Sequence, residues 1–406
     1  MEEKIIDGGV CAAKGFKASG MHTGLSKNPS KNDVGIIFCE KKCSAAAVYT
    51  QNKVKGSPII VTQKNIADGY AQAVIVNSTN ANTCNADGEE KAQMMCDMTA
   101  KELGINPSDI VVASTGVIGQ PLNIKPIADN ISKLVKSLSS DGSDSCARAI
   151  MTTDVKKKEI AVEFEADGKL CRIGGIAKGS GMIHPNMATM LCFMTTDADI
   201  SPEMLKTVLS EVTKVTFNRV SVDGDTSTND MACVLASGLA GNKIIDCKND
   251  DYNKFKSALY TIMRYLSREI ARDGEGATKL LECACIGAKD EKTAEAVAKA
   301  VITSSLFKAA MFGADANWGR ILCAIGYCDA DFDINKVGVA FGSSKGTIEV
   351  CRNGAGVPFS EETAKEILLE DEIKIHVTLN EGNAEAVAWG CDLTYDYVKI
   401  NGDYRS

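Results

Sequence analysis

The chain of 406 residues is 45% hydrophobic and 24% charged, which excludes a disordered chain and supplies apolar side chains for roughly two to three domains. Its 45 Lys and Arg against 53 Asp and Glu give a net charge of −8, and aromatic residues make up only 5%. Such a chain has neither the basic footprint that phosphate backbones need nor base-stacking platforms, so nucleic acid is not an expected partner. No run approaches the ~18 apolar residues of a membrane span, and Met1–Asp7 lack the apolar core of a secretory signal. The expected setting is the cytoplasm, with no membrane partner. Sixteen cysteines show no Cys-x-x-Cys pair, and the histidines are His22, His184 and His376 alone. Zinc-ligand spacing is therefore missing, no metal is expected, and the cysteines read as small core hydrophobes.

In chain order, Val34–Cys39, Ala45–Tyr49, Ile59–Thr62 and Ala73–Asn77 read as strands. A helix from about Gly88 to Leu103 follows, then the apolar strand Ile110–Ala113. Ile124–Leu138 fits an amphipathic helix with Ile127, Ile131, Leu134, Val135 and Leu138 on one face. Ile160–Phe164 and Lys169–Ile176 alternate around Asp167-Gly168, a type I′ hairpin signal. Met190–Thr195 is a further strand, and Ser201-Pro202-Glu203 opens a helix with an N-cap serine and Pro at its first position. Helices at Tyr252–Arg272 and Thr293–Met311 flank the strand Leu280–Ile286, and strands return at Val337–Phe341, Ile373–Leu379 and Val387–Cys391. Hairpins mixed with long helices favour an α+β layered sandwich, with a domain seam expected near residues 185–200.

Several apparent motifs fail. Gly174–Gly181 and Gly342–Thr347 lack the residue order of a phosphate loop, and Asp223–Asp230 lacks the glycine and glutamate of a calcium loop. The informative stretch is GGIAKGSGMIHPNMATMLCFMTT, Gly174 to Thr196. Its glycines allow close backbone approach to a ligand. Thr189, at the mouth of a strand, has a plain reading as a β-favouring residue. Its chemical reading is a nucleophile whose own α-amine is the base, which requires scission of the Ala188–Thr189 bond.

The same stretch resembles the ornithine acetyltransferase (glutamate N-acetyltransferase) family of arginine biosynthesis. The resemblance runs through Gly8-Gly9-Val10, Asn77–Asn82, Ser114–Gly119, Met151–Asp154, Lys178–Met190, Ser221–Asp230, Arg272–Ala277, Asp315–Arg320 and Asn401–Ser406. It implies a sandwich of the ornithine acetyltransferase type, self-cleaved into an α chain, 1–188, and a β chain, 189–406, that begins with the nucleophile. It implies transfer of the acetyl group from N2-acetylornithine to glutamate through acetyl-Thr189, with the Thr115 hydroxyl and Gly116 N–H as oxyanion hole. Thr152, Lys178, Thr189, Glu275, Asn401 and Ser406 are the implied substrate contacts. Lys178 is the natural partner for a carboxylate and Glu275 for the ornithine δ-ammonium. Thr153 stands beside Thr152, and the spacing to Lys178 favours Thr152. Family members frequently end in Thr where Ser406 stands, which keeps the hydroxyl and implies a docked C-terminus. An α2β2 heterotetramer is implied. No cofactor is expected, with acetyl-CoA as a further donor in a bifunctional form, which would add amino-acid N-acetyltransferase activity.

Two other readings fit the residues. A self-processing N-terminal-nucleophile aminopeptidase or amidase would surrender the acyl-enzyme to water. A non-catalytic amino-acid-binding or structural protein would remain unprocessed. The Lys178 loop and the Asn401–Ser406 tail, read as an amino-acid clamp, favour transfer.

Overall fold

The computed structural model describes residues 3–184 and 190–402. These fall into two compact units, one of residues 3–179, 190–217 and 226–266, the other of 180–184, 218–225 and 267–402. One crossing, between 184 and 190, meets the expected seam at 185–200, and the others lie at 179/180, 217/218, 225/226 and 266/267. The chain passes between units several times, the last time within one long helix, because short excursions such as 218–225 pair with the second sheet. Each unit draws residues from both sides of the Ala188–Thr189 bond.

The first unit is built on a sheet of nine strands among the described residues. They are β1 (Lys4–Ile6), β2 (Phe16–Met21), β3 (Val34–Tyr49), β4 (Tyr70–Asn77), β5 (Ile110–Ser114), β6 (Lys158–Ala166), β7 (Lys169–Lys178), β8 (Leu191–Thr196) and, after the short β9 (Val220–Ser221) of the other unit, β10 (Met231–Ala236). The order is β1-β6-β7-β8-β10-β3-β4-β5, with β2 added beside β3. β3 joins the two expected runs into one strand. Its exposed Glu40-Lys41-Lys42 lies where the register against β4 shifts between Phe38 and Cys43. The β6–β7 turn holds both Asp167 and Gly168 at positive φ, 50° and 66°, as a type I′ turn demands.

Around this sheet lie α1 (Ser57–Asn65), α2 (Gly88–Leu103), α3 (Lys125–Lys136), α4 (Ser143–Ala149), α5 (Pro202–Val215) and the first part of α6 (Asp250–Arg272). The expected strand Ile59–Thr62 is instead part of α1. Pro58 starts the helix, and Thr62 Oγ1 donates to the Val112 carbonyl at 2.7 Å and accepts from its N–H at 2.8 Å. β5 is the last strand of the sheet order, so Thr62 supplies the pairing that a further strand would give, and tertiary structure overrides local β preference. α3 buries Ile127, Ile131 and Leu134 on one face, as its spacing predicts. α5 begins at Ser201, whose hydroxyl accepts from the Met204 N–H. Many cysteines, Cys39, Cys96, Cys146 and Cys233 among them, are core residues.

The second unit carries a sheet in the order β14-β13-β12-β15-β11-β16-β9. Its further strands are β11 (Leu280–Ala288), β12 (Gly338–Ser343), β13 (Gly346–Arg352), β14 (Ala355–Gly356), β15 (Glu372–Thr378) and β16 (Ala384–Cys391). Helices α7 (Glu291–Thr303), α8 (Ser305–Phe312), α9 (Trp318–Gly326), α10 (Glu361–Leu368) and α11 (Tyr395–Asn401) complete it. The single helix expected over Thr293–Met311 is two. Ser304 leaves helical geometry (ψ 111°) and caps α8 by accepting from the Phe307 N–H, the competition serine commonly offers a helix backbone. Among the described residues no helix is long and apolar enough to cross a membrane.

Candidate active site

In the first unit, β4 and β5 end together, with Asn77 paired to Ser114. Asn77 Nδ2 donates to Ser114 Oγ at 2.7 Å, and its Oδ1 accepts from the N–H groups of Thr79 and Asn80. The Thr115 N–H donates to the Asn77 carbonyl at 2.9 Å and the Val117 N–H to the Thr79 carbonyl at 3.2 Å. Between them Gly116 adopts φ +128°, and a Cβ there would lie 2.2 Å from the Thr79 oxygen, so only glycine fits. Neither the Thr115 hydroxyl nor the Gly116 N–H has a hydrogen-bond partner among the described residues. Two donors are thus presented on a turn held at both ends.

Asn229 locks this turn from beneath. Its Nδ2 donates to the Ala81 and Ser114 carbonyls at 2.6 and 2.9 Å, and its Oδ1 accepts from the Thr83 and Thr228 hydroxyls, both at 2.6 Å. All four hydrogen-bonding positions of the buried amide are filled.

The expected carboxylate ligand, Lys178, ends β7. It pairs with Leu191 at the start of β8, which pairs with Met231 at the start of β10, itself opposite Tyr49 at the end of β3. This row puts Lys178, Met190 and the Asn229-Asp230 pair together at one end of these strands. Asp154 joins Thr152 to that end. Its Oδ2 accepts from the Thr152 N–H at 3.0 Å, while Oδ1 accepts from the Gly179 N–H and the Lys158 ammonium, each at 2.7 Å. Burial alone would raise the Asp154 carboxyl. The charges of Lys158 and Lys178 and these hydrogen bonds outweigh it and hold the group well below the usual carboxylate range. Asp230 is the reverse. Burial pushes its carboxyl well above that range, against the charge of Lys178, and Oδ2 has no partner among the described residues.

In the second unit, Glu275 is buried between Gly274 and Gly276, and its N–H donates to the Ser180 carbonyl at 2.9 Å. A Cβ on Gly181 would lie 2.3 Å from the Glu275 carboxyl carbon, so this glycine makes room for the acid. Asn401, closing α11, donates through Nδ2 to Glu275 Oε2 at 2.7 Å. The segment 180–184 is fixed by Asp223, whose oxygens accept from the Met182 and Ile183 N–H groups at 2.6 and 2.9 Å. The Val222 N–H donates to the Ile183 carbonyl at 2.7 Å, and His184 Nδ1 lies 3.1 Å from Ser221 Oγ. Burial, then the charge of Lys299, lowers the His184 imidazole below its ordinary value.

The structure therefore groups Thr115, Gly116, Thr152 and Lys178 in the first unit, and Glu275 with Asn401 in the second. Ala188, Thr189 and Ser406 lie outside the described residues. Asn77, Asp154, Asp223 and Asn229 are structural partners that motif reading did not single out. Each lies inside a block that carries the family resemblance, which was the available signal. Chemically, the first unit offers two directed donors for a developing oxyanion and a cation for a carboxylate. The second offers an acid and an amide suited to an ammonium group.

The sequence profile of the ArgJ family matches residues 17–406. The chain is 50% identical over 392 residues to the arginine biosynthesis bifunctional protein ArgJ 1 of Clostridium acetobutylicum, covering 96% of each chain. It is 47% identical over 404 residues to the bifunctional ArgJ of Caldanaerobacter subterraneus subsp. tengcongensis, covering 99% of this chain and 100% of that one. Among solved structures it is similar to the arginine biosynthesis bifunctional protein ArgJ of Bacillus halodurans, at 48% identity and a TM-score of 0.51. That match covers 53% of this chain and 99% of the other.

Proposed function

The chain belongs to the ArgJ family, and from that membership we propose that it transfers the acetyl group of N2-acetylornithine to glutamate in arginine biosynthesis. The products are ornithine and N-acetylglutamate. The chain is first cut by its own Thr189, whose hydroxyl attacks the Ala188 carbonyl. The ester that forms is hydrolysed, leaving the chains 1–188 and 189–406. The new α-amine of Thr189 has an ordinary pKa of about 7.7–8.0, so a useful neutral fraction exists near pH 7.

In turnover the amine takes the hydroxyl proton as Oγ attacks the acetyl carbon. The oxyanion meets the Thr115 hydroxyl and the Gly116 N–H. Collapse returns the proton to the leaving nitrogen, releases ornithine and leaves an acetyl ester on Thr189. The neutral amine of glutamate then attacks the ester, the same donors receive the second oxyanion, and Thr189 recovers its proton. Lys178 with Thr152 receives the α-carboxylate, Glu275 with Asn401 receives the δ-ammonium, and Ser406 adds a hydroxyl. Acetyl-CoA serves as a second acetyl donor, in keeping with relatives named bifunctional. The working form is a cytoplasmic α2β2 assembly.

The observation that carries this reading is the Gly116 turn. A backbone conformation open only to glycine presents an N–H and a hydroxyl with no other partner among the described residues. The test is ornithine release from N2-acetylornithine with and without glutamate. Glutamate-dependent release with stoichiometric N-acetylglutamate supports transfer. Release to free acetate regardless of glutamate would make the protein a hydrolase.

A further inference from the structure

The proposed donor and acceptor differ at their far ends, one an ammonium and the other a second carboxylate. Glu275 suits the first and repels the second. Lys178 is already assigned to the α-carboxylate that both substrates share. Glutamate therefore needs one more cation than the residues above provide.

Lys31 has the properties required. The loop before it winds around the buried Asp33, whose carboxylate accepts from the Thr23 N–H and hydroxyl, both at 2.8 Å, and from the Ser26 N–H at 2.9 Å. This places Lys31 so that Nζ donates to the Ser78 carbonyl at 2.8 Å. Ser78 leads directly into Thr79, whose carbonyl backs Gly116, so the ammonium is tied to the turn that carries the oxyanion donors. That bond uses one of its three hydrogens, and the other two have no acceptor among the described residues. The Ser78 and Thr79 hydroxyls of the same loop are also buried with no partner among the described residues. Burial and the like charge of Lys178 press the ammonium towards its neutral form, while Asp33 and Asp154 act in the opposite sense. A carboxylate ligand would add a counter-charge in direct contact and an acceptor for the two remaining hydrogens.

We propose that Lys31 binds the side-chain carboxylate of glutamate, making it the residue that selects an acidic amino acid as acetyl acceptor. This rests on the acetyl-transfer reading. The experiment measures two steps separately on the processed enzyme: ornithine release from N2-acetylornithine, and acetyl transfer to glutamate, with glutamine as comparison acceptor. The wild-type enzyme is expected to prefer glutamate over glutamine strongly. Lys31→Gln should raise KM for glutamate about tenfold or more and shift KM for N2-acetylornithine far less, with Lys31→Arg restoring most of the loss. Equal rises for both substrates, or an unaltered glutamate KM, would overturn the assignment. So would a wild-type enzyme indifferent between glutamate and glutamine, which decides the matter even if Lys31→Gln fails to fold. Absence of ornithine release from the wild type would instead overturn the acetyl-transfer reading, and this assignment with it.

Discussion

The backbone N–H of Gly179 donates to Asp154 Oδ1 over 2.7 Å, and through this bond one buried carboxylate sets the end of β7. The same group holds the Thr152 N–H and the Lys158 ammonium. Two assigned substrate residues thus depend on a side chain that touches neither substrate in the proposed mechanism.

Removing that charge should be costly, because the buried Lys158 ammonium then loses the carboxylate it donates to at 2.7 Å. Asp154→Asn is expected to lose about 3–5 kcal/mol of stability in urea unfolding at pH 7. The carboxyl is held below its unfolded value, so its contribution is present above about pH 4 and is lost as pH falls through the depressed native value. The wild type should lose its advantage over Asp154→Asn on acidification. A constant difference across the acid range would contradict the clamp.

The oxyanion turn can be tested at two atoms. Thr115→Val should lower kcat on the order of 10²–10³-fold by removing one donor, with KM for N2-acetylornithine little changed. Gly116→Ala should be at least as severe, because its methyl cannot coexist with the Thr79 carbonyl at 2.2 Å. A Gly116→Ala enzyme with normal turnover would contradict the geometry.

Asn229 supports the same turn. Asn229→Ala removes the amide donor from the Ser114 and Ala81 carbonyls, and each lost hydrogen bond costs about 1–3 kcal/mol. Asn229→Asp is expected to be no better, since a carboxylate would face two carbonyl oxygens. Thermal unfolding and kcat should fall together in both variants.

Asp223 anchors the stretch that leads to the proposed scissile bond. Asp223→Ala frees the Met182 and Ile183 N–H groups and should slow self-cleavage on the order of 10²-fold through misplacement. Uncleaved chain would then accumulate on denaturing gels. Cleavage at the wild-type rate would remove the anchor from the processing step.

Most strands and long helices were legible because their apolar periodicity matches their burial. α3 and β5 are examples. α1 was not, since its identity rests on Thr62 completing the edge of β5, a contact 50 residues away. The break at Ser304 depends on a single hydroxyl choosing to cap α8. Thr115 and Gly116 were legible only through resemblance, because Ser-Thr-Gly after a strand is an ordinary turn sequence. What sets them apart is φ at Gly116 and the Thr79 carbonyl behind it. Asp154, Asp223 and Asn229 act on backbone groups, and such partners leave no spacing pattern.

The central claim is that Thr189 becomes an N-terminal nucleophile that carries the acetyl group. Intact-mass and peptide analysis of the purified protein, after brief incubation with N2-acetylornithine, tests it most directly. The account predicts two chains, one ending at Ala188 and one beginning Thr-Met-Leu, with a single acetyl group on Thr189 that glutamate removes. An active enzyme that remains one uncut chain, or that carries its acetyl group elsewhere, would contradict it.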